Sequence, residues 1–231
     1  MPAARCAGRD LGGPQSRAMT VVGLQVEANI RPYEARDLEA LYAICLKTGD
    51  AGQDASGQYR DRKVIGHIYA GPYGTLEPQD CFVLEDDAGV GGYIIGTRDT
   101  HAFETRLERE WWPALRAAYA DPGAGRADFT PDERMAYLIH HPPKTPRRIN
   151  EPYPAHLHID LLPRFQGAGW GVRMIDTFLA HMRAAGVKAV HLGVGPKNAR
   201  GVRFYRKYGF HVIEQAPEPW NTYWFGIGTG A

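Results

Sequence analysis

The stretch "HLHIDLLPRFQGAGWGVRMIDTFLAHM", residues 156–182, decides the fold. It runs from an apolar-rich strand, through a loop holding Gly167, Gly169 and Gly171, into an amphipathic helix. Glycines after a strand let backbone N–H groups approach an anion with no Cβ in the way. The helix start adds unsatisfied donors and about half a positive charge from the helix dipole. A phosphate-bearing ligand would suit such a loop, and so would a tight turn with close helix packing. Spacing removes two familiar ligands. A P-loop needs Gly-Lys-Ser/Thr, and no lysine follows here. The dinucleotide fingerprint needs G-x-G-x-x-G, whereas this loop reads G-x-G-x-G, and the next strand, "VHLGVG", carries no acid for a ribose.

Outward from the loop, the final third alternates. Strand 155–162 leads to helix 171–185, "KAVHLGVG" is a strand, "NARGVRFYRKYG" is a helix closed by Gly209, and "FHVIEQ" and "NTYWFGI" are strands. Upstream, a strand over 30–33 precedes a helix with Asp37 as N-cap and Leu38, Leu41, Tyr42 and Cys45 on one face. Residues 55–70 form a weaker helix, "GPYGTLEP" is loop, and "CFVLEDDAGVGGYIIGTRD" is a hairpin. Phe103, Leu107, Trp111, Leu115 and Tyr119 recur every fourth residue in a helical segment that Pro113 should split. Another helix opens at "TPDERMAYLI", where Thr130 caps, Pro131 takes the first position and Glu133 completes a capping box. The proline-rich, basic "HHPPKTPRRINEPYP" has no periodicity, and the loop-rich segment 123–154 is expected to serve as a lid or substrate loop. A hairpin upstream and alternation downstream indicate an α/β fold with a mixed sheet in one domain.

The 231 residues, 44% hydrophobic and 23% charged, suffice for one sizeable core. A net charge of +1 provides no broad footprint for nucleic acid or an anionic membrane surface. No apolar run approaches the roughly 18 residues of a membrane helix. Cys6, Cys45 and Cys81 lie far apart without a CxxC pair, which points to idle thiols in a reducing compartment. Residues 1–27 lack a signal-peptide core and read as a disordered extension, so a cytoplasmic location is expected.

The helix "NARGVRFYRKYGF" turns the loop from ambiguous to specific. The run Gln166-Gly167-Ala168-Gly169-Trp170-Gly171 resembles the Q/R-x-x-G-x-G/A loop of the GNAT superfamily of N-acetyltransferases, and the later helix resembles its N-x-x-A/G-x-x-F-Y-x-K-x-G-F segment. Both follow a strand and stand in the superfamily's order, and the resemblance covers about residues 28–226. Within that superfamily "ICLKTGDAG", "GHIYAGPY", "GGYIIGTRDTHAFETRLEREWWPALRAAY" and "HLHIDLLPRFQGAGWG" are similar to bacterial acetyltransferases related to the C-terminal domain of O-GlcNAcase. The resemblance implies a single domain over 28–231, with a mostly antiparallel sheet of about six or seven strands, splayed at its centre and flanked by helices.

It also implies acetyl-CoA as cosubstrate, an amine as acceptor, and no metal. Backbone N–H groups from Gln166 through Ala168 and Trp170 to Gly171 would cradle the pyrophosphate. Trp170 would cover the cofactor or simply pack. Leu161 and Leu162 would pair with the pantetheine arm through the backbone groups that a splay leaves without partners. Asn198 would bond the same arm, cap its helix, or both. Tyr205, beside Phe204, would protonate the departing thiolate. Amine attack needs a base, and His156, His158 and Asp160 alternate onto one face of their strand. Asp160 at a partly desolvated strand end suits that role, with either histidine as the alternative. His-x-His near an aspartate can bind zinc, but this strand already has another task. Arg147 and Arg148 would attract an acidic substrate or the 3′-phosphate of CoA, or stay solvated. No cysteine lies in either motif, which argues for direct transfer over a covalent acetyl-enzyme. A rival reading is a domain that binds acetyl-CoA with little or no turnover.

Overall fold

Apolar periodicity sorts the chain into its elements, and the computed structural model describes residues 28–124, 128–217 and 221–230. Strand β1 (Asn29–Pro32) precedes helices α1 (Leu38–Thr48), α2 (Val64–Tyr69) and α3 (Gly71–Leu76). The hairpin is β2 (Phe82–Asp86) and β3 (Gly89–Thr97), followed by α4 (Thr100–Glu110), α5 (Trp112–Ala118), α6 (Pro131–His140) and α7 (Arg147–Asn150). Then come β4 (Ala155–Leu161), α8 (Trp170–Ala184), β5 (Ala189–Val194), α9 (Ala199–Tyr208), β6 (His211–Gln215) and β7 (Tyr223–Gly228). The expectation for residues 1–27 lies outside the described residues, as do 125–127 of the linker.

The strands form one seven-stranded sheet in the order β1-β2-β3-β4-β5-β7-β6. All neighbours are antiparallel except β4 and β5, which run parallel. The sheet is therefore mixed and mostly antiparallel, as expected. One face, through Tyr93 and Ile95, packs on Leu41, Cys45, Val64, Tyr73, Phe103 and Ile139 of the α1–α6 layer. The other, through Ile94 and Leu157, packs on Met174, Ile175, Phe178 and Met182, the apolar stripe of α8. Register pairs Tyr93 with Asp160 and Ile95 with His158, so the polar side chains of β4 share the first face.

Four local expectations need correction. "GPYGTLEP" is α3 followed by a 3-10 turn at Pro78–Asp80. Its glycines mark close packing: a Cβ on Gly71 would stand 2.2 Å from the Tyr42 hydroxyl, and one on Gly74 would stand 3.0 Å from the Tyr33 hydroxyl. The expected 55–70 helix shrinks to α2, because aspartates capture the preceding backbone. Asp54 accepts from Ser56 N–H, Asp61 from Lys63 N–H, and Asp132 from Arg60 and Asp61 N–H. Asp37 precedes α1 without capping it, since its carboxylate accepts from Glu34 N–H and from Arg31. The proline-rich segment carries a turn of helix, α7, pinned by the fully buried Ile149.

Other local signals hold. Pro113 separates α4 from α5, and Cys45 and Cys81 are buried free thiols. The α6 box forms as expected, with Thr130 Oγ1 accepting from Glu133 N–H at 3.2 Å and Glu133 accepting from Thr130 N–H at 2.9 Å. Thr130→Ala removes half of that exchange and is expected to lower stability by about 1 kcal/mol in urea unfolding.

Candidate active site

The centre of the sheet opens because β4 and β5 pair only at Ala155–Val190 and His156–His191. Beyond that point β4 stays with β3 as far as Leu161, while β5 stays with β7 as far as Val194. The N–H of Leu162 donates to Gly91 O at 2.8 Å. Antiparallel ladders alternate, so Leu161 and Ile159 turn their N–H and C=O groups the other way, toward the gap. This corrects the expectation for Leu162, whose amide belongs to β3, and adds Ile159, which shares the parity of Leu161.

The loop after β4 has the geometry its glycines suggest. Gly167 and Gly169 sit at φ +84° and +83°, where an L side chain is strained, although a Cβ at either would meet open space. Gly171 serves packing, since its Cβ would lie 3.1 Å from the Phe204 ring and 3.7 Å from Leu161. No side chain caps α8 at Gly169, so the first donors of this 15-residue helix point out of its end. The side chain of Gln166 is a strut: its Nε2 donates to Leu161 O at 2.7 Å, and its Oε1 accepts from Arg200.

The gap and the loop open onto one cleft of about 770 Å³. Of the expected residues, Asp160, Leu161, Gln166, Gly167, Gly169, Gly171, Asn198, Phe204 and Tyr205 line it. Leu162, Ala168 and Trp170 lie outside that lining. Trp170 packs, with the Arg173 guanidinium 4.6 Å above its ring and Phe165 at its edge. Sequence reasoning missed Arg200 and Lys207, whose charges border the cleft, and Thr48 and Gly52 from the end of α1. The two cations were visible as a basic stripe on the "NARGVRFYRKYGF" helix; the α1 contribution had no local signal.

Asp160 accepts from the Tyr93 hydroxyl at 2.5 Å. Burial pushes its carboxyl up to about 6, against the opposing pull of the Tyr93 hydrogen bond. Burial and the neighbouring Asp160 push the Tyr93 hydroxyl far up, so it remains a donor. Burial, reinforced by Asp160, likewise raises Tyr205, which stays protonated at neutral pH. Its ring is braced by Phe204, Phe210 and Phe225 at 5.4, 5.6 and 5.9 Å between centroids. Asn198 Oδ1 caps α9 by accepting from Gly201 N–H at 2.8 Å. Its amide nitrogen would lie 2.8 Å from a Cβ on Gly201, so that glycine keeps the cap in place.

His156 and His158 border a different space, a second cavity of about 630 Å³ on the face of β4 that packs on the α1–α6 layer. Pro142 to Pro146 form part of its wall, which places the proline-rich loop beside the splay. The arginines after it are taken up locally, Arg147 by Glu151 and Arg148 by Glu214. Among the described residues no group of three or more His, Cys, Asp or Glu side chains is placed to hold a metal ion. None of the described helices is long and apolar enough to cross a membrane.

Known proteins resemble this chain in sequence and fold. Protein O-GlcNAcase of Rattus norvegicus is 27% identical over 185 residues, which are 80% of this chain and 20% of that protein. The chain thus spans only about a fifth of that relative's length. The crystal structure of SsHAT superposes with a TM-score of 0.78 at 38% identity, covering 87% of this chain and 98% of the other. The structure of yncA from Salmonella typhimurium with its cofactor acetyl-CoA shares the fold, with a TM-score of 0.51 at 15% identity over 87% of this chain and 94% of the other. The sequence model described as Acetyltransferase (GNAT) family matches residues 31–210, and with it the splay, the glycine loop and the α9 helix, so the chain belongs to the GNAT acetyltransferase family.

Proposed function

We propose that the chain transfers acetyl from acetyl-CoA directly to an amine. The observation that carries this reading is the meeting, in one cleft, of the open end of α8, the unpaired edge of β4, Asp160 and Tyr205. Acetyl-CoA supplies an activated acyl group. Its pyrophosphate suits the α8 amides, with Arg200 and Lys207 as counter-charges at the rim. The backbone groups of Ile159 and the N–H of Leu161, whose carbonyl already accepts from Gln166, suit the amides of a pantetheine arm. Holding both substrates in line would supply much of the rate.

Asp160 takes a proton from the amine as the new C–N bond forms, and Tyr205 gives one to the sulfur as the C–S bond breaks. Asp160 is a better base than the neighbouring histidines. Burial holds His158 down to about 4 and His156 well below its ordinary value, whereas it pushes the Asp160 carboxyl up to about 6.

The test is thiol release from acetyl-CoA over a panel of primary amines. Amine-dependent release supports transfer, and Tyr205→Phe is expected to slow it roughly 10²-fold with the KM for acetyl-CoA little changed. Saturable acetyl-CoA binding with no release for any amine would leave a cofactor-binding domain instead.

A further inference from the structure

The second cavity carries a chemical signature of its own. Its volume of about 630 Å³ suits a small molecule. Five aromatic rings line it, Tyr69, Tyr73, Phe103, Trp112 and Trp224, together with Pro142 and Pro143. The two charged side chains that border it are of opposite sign and each has a partner. Glu104 accepts from Thr145 N–H at 2.8 Å, and Lys144 lies 3.4 Å from Glu108. Glu104 and Lys144 together leave the lining without net charge, so the second cation of a polyamine gains no net attraction there.

A one-way chain of hydrogen bonds fixes the polarity of the floor. Thr100 Oγ1 lies 2.7 Å from Pro154 O, and a carbonyl can only accept, so the hydroxyl proton points there. The same Oγ1 must then accept from His156 Nδ1 at 2.8 Å. His156 Nε2 is left with its lone pair, which the Tyr73 hydroxyl fills at 2.7 Å. The Tyr73 oxygen accepts in turn from His158 Nε2–H at 3.0 Å. The free lone pair of the whole chain therefore ends on His158 Nδ1, which makes no hydrogen bond among the described residues and belongs to a ring that lines the cavity. Burial keeps this ring neutral at physiological pH. One strand period separates His158 from Asp160 on the same face, about 7 Å along β4.

We propose that this cavity is the acceptor site and selects a primary amine with a single nitrogen and a flat aromatic body, its N–H oriented by His158 Nδ1. An alkyl stem such as a lysine side chain would leave the aromatic walls and much of the volume unfilled. The proposal deepens the transfer reading by naming its substrate class, and its binding test needs no turnover.

Amines are titrated by calorimetry into the protein saturated with CoA, using 2-phenylethylamine, putrescine and Nα-acetyllysine amide as probes. The expected result is at least tenfold tighter binding of 2-phenylethylamine than of either other amine. Tyr69→Ala, which removes a half-exposed wall, and Tyr73→Phe, which breaks the chain, should each weaken 2-phenylethylamine about tenfold and leave CoA binding unchanged. Equal or tighter binding of putrescine or the lysine amide overturns the proposal, as does no amine binding, or variants that bind 2-phenylethylamine like the parent. If 2-phenylethylamine binds as expected but neither it nor any other aromatic amine releases thiol from acetyl-CoA, the cavity remains an aromatic-amine site, its assignment as the acceptor site is overturned, and the transfer reading is left to the rest of the amine panel.

Discussion

Asp160→Asn is expected to lower kcat by roughly 10²–10⁴-fold while raising the melting temperature above pH 6. Both effects come from one buried carboxyl. Folding lifts its pKa from 3.8 to about 6, so the folded state resists ionisation more than the unfolded chain does. Stability that is complete below pH 4 is therefore lost as pH climbs from about 4 through 6. Asparagine keeps an oxygen for the Tyr93 hydroxyl and carries no charge, so the variant escapes that loss. At pH 8 it should melt higher than the parent, and at pH 4 the two should coincide. Activity runs the other way. The parent's kcat/KM should rise through about pH 6 as Asp160 ionises, and that limb should vanish in the variant. A melting series and a pH–rate profile on both proteins check the pair of effects. An unchanged limb would assign the base elsewhere.

The largest effect on stability is expected from Phe178→Ala, a loss of roughly 3–5 kcal/mol. Phe178 is fully buried on α8, within the core that α8 forms against the sheet. Its ring lies so close to β3 that a Cβ on Gly96 would stand 2.6 Å from Cζ, and 2.1 Å from the His156 carbonyl. The ring therefore supports the two strands beside the splay, and the tight Gly96 contact leaves little slack to collapse into the void. Urea unfolding should show a lower midpoint with an unchanged slope. For a chain of this size the melting temperature should fall by roughly 2–4 °C for each kcal/mol lost.

Local chemistry made much of the site legible. Gly167 and Gly169 announced a loop between strand and helix, and Thr130 with Glu133 announced a helix start, because each signal lies within a few residues. Leu162 misled because strand parity depends on register with Gly91, which no local pattern states. "GPYG" misled for a related reason: glycine serves both turns and close packing, and only the Tyr42 ring decides between them. The polar face of β4 was readable from alternation alone. What it does was not, since Tyr73 reaches His156 across 83 positions of sequence and Tyr93 reaches Asp160 across 67. Arg200 fell between the two, visible as a cation yet placed at the cleft only by its bond to Gln166.

A calorimetric titration of the purified protein with acetyl-CoA tests the central claim most directly, because every assigned role rests on that ligand occupying the cleft between β4 and β5. A saturable one-to-one heat at micromolar to millimolar ligand is the predicted result. No heat across that range would contradict it.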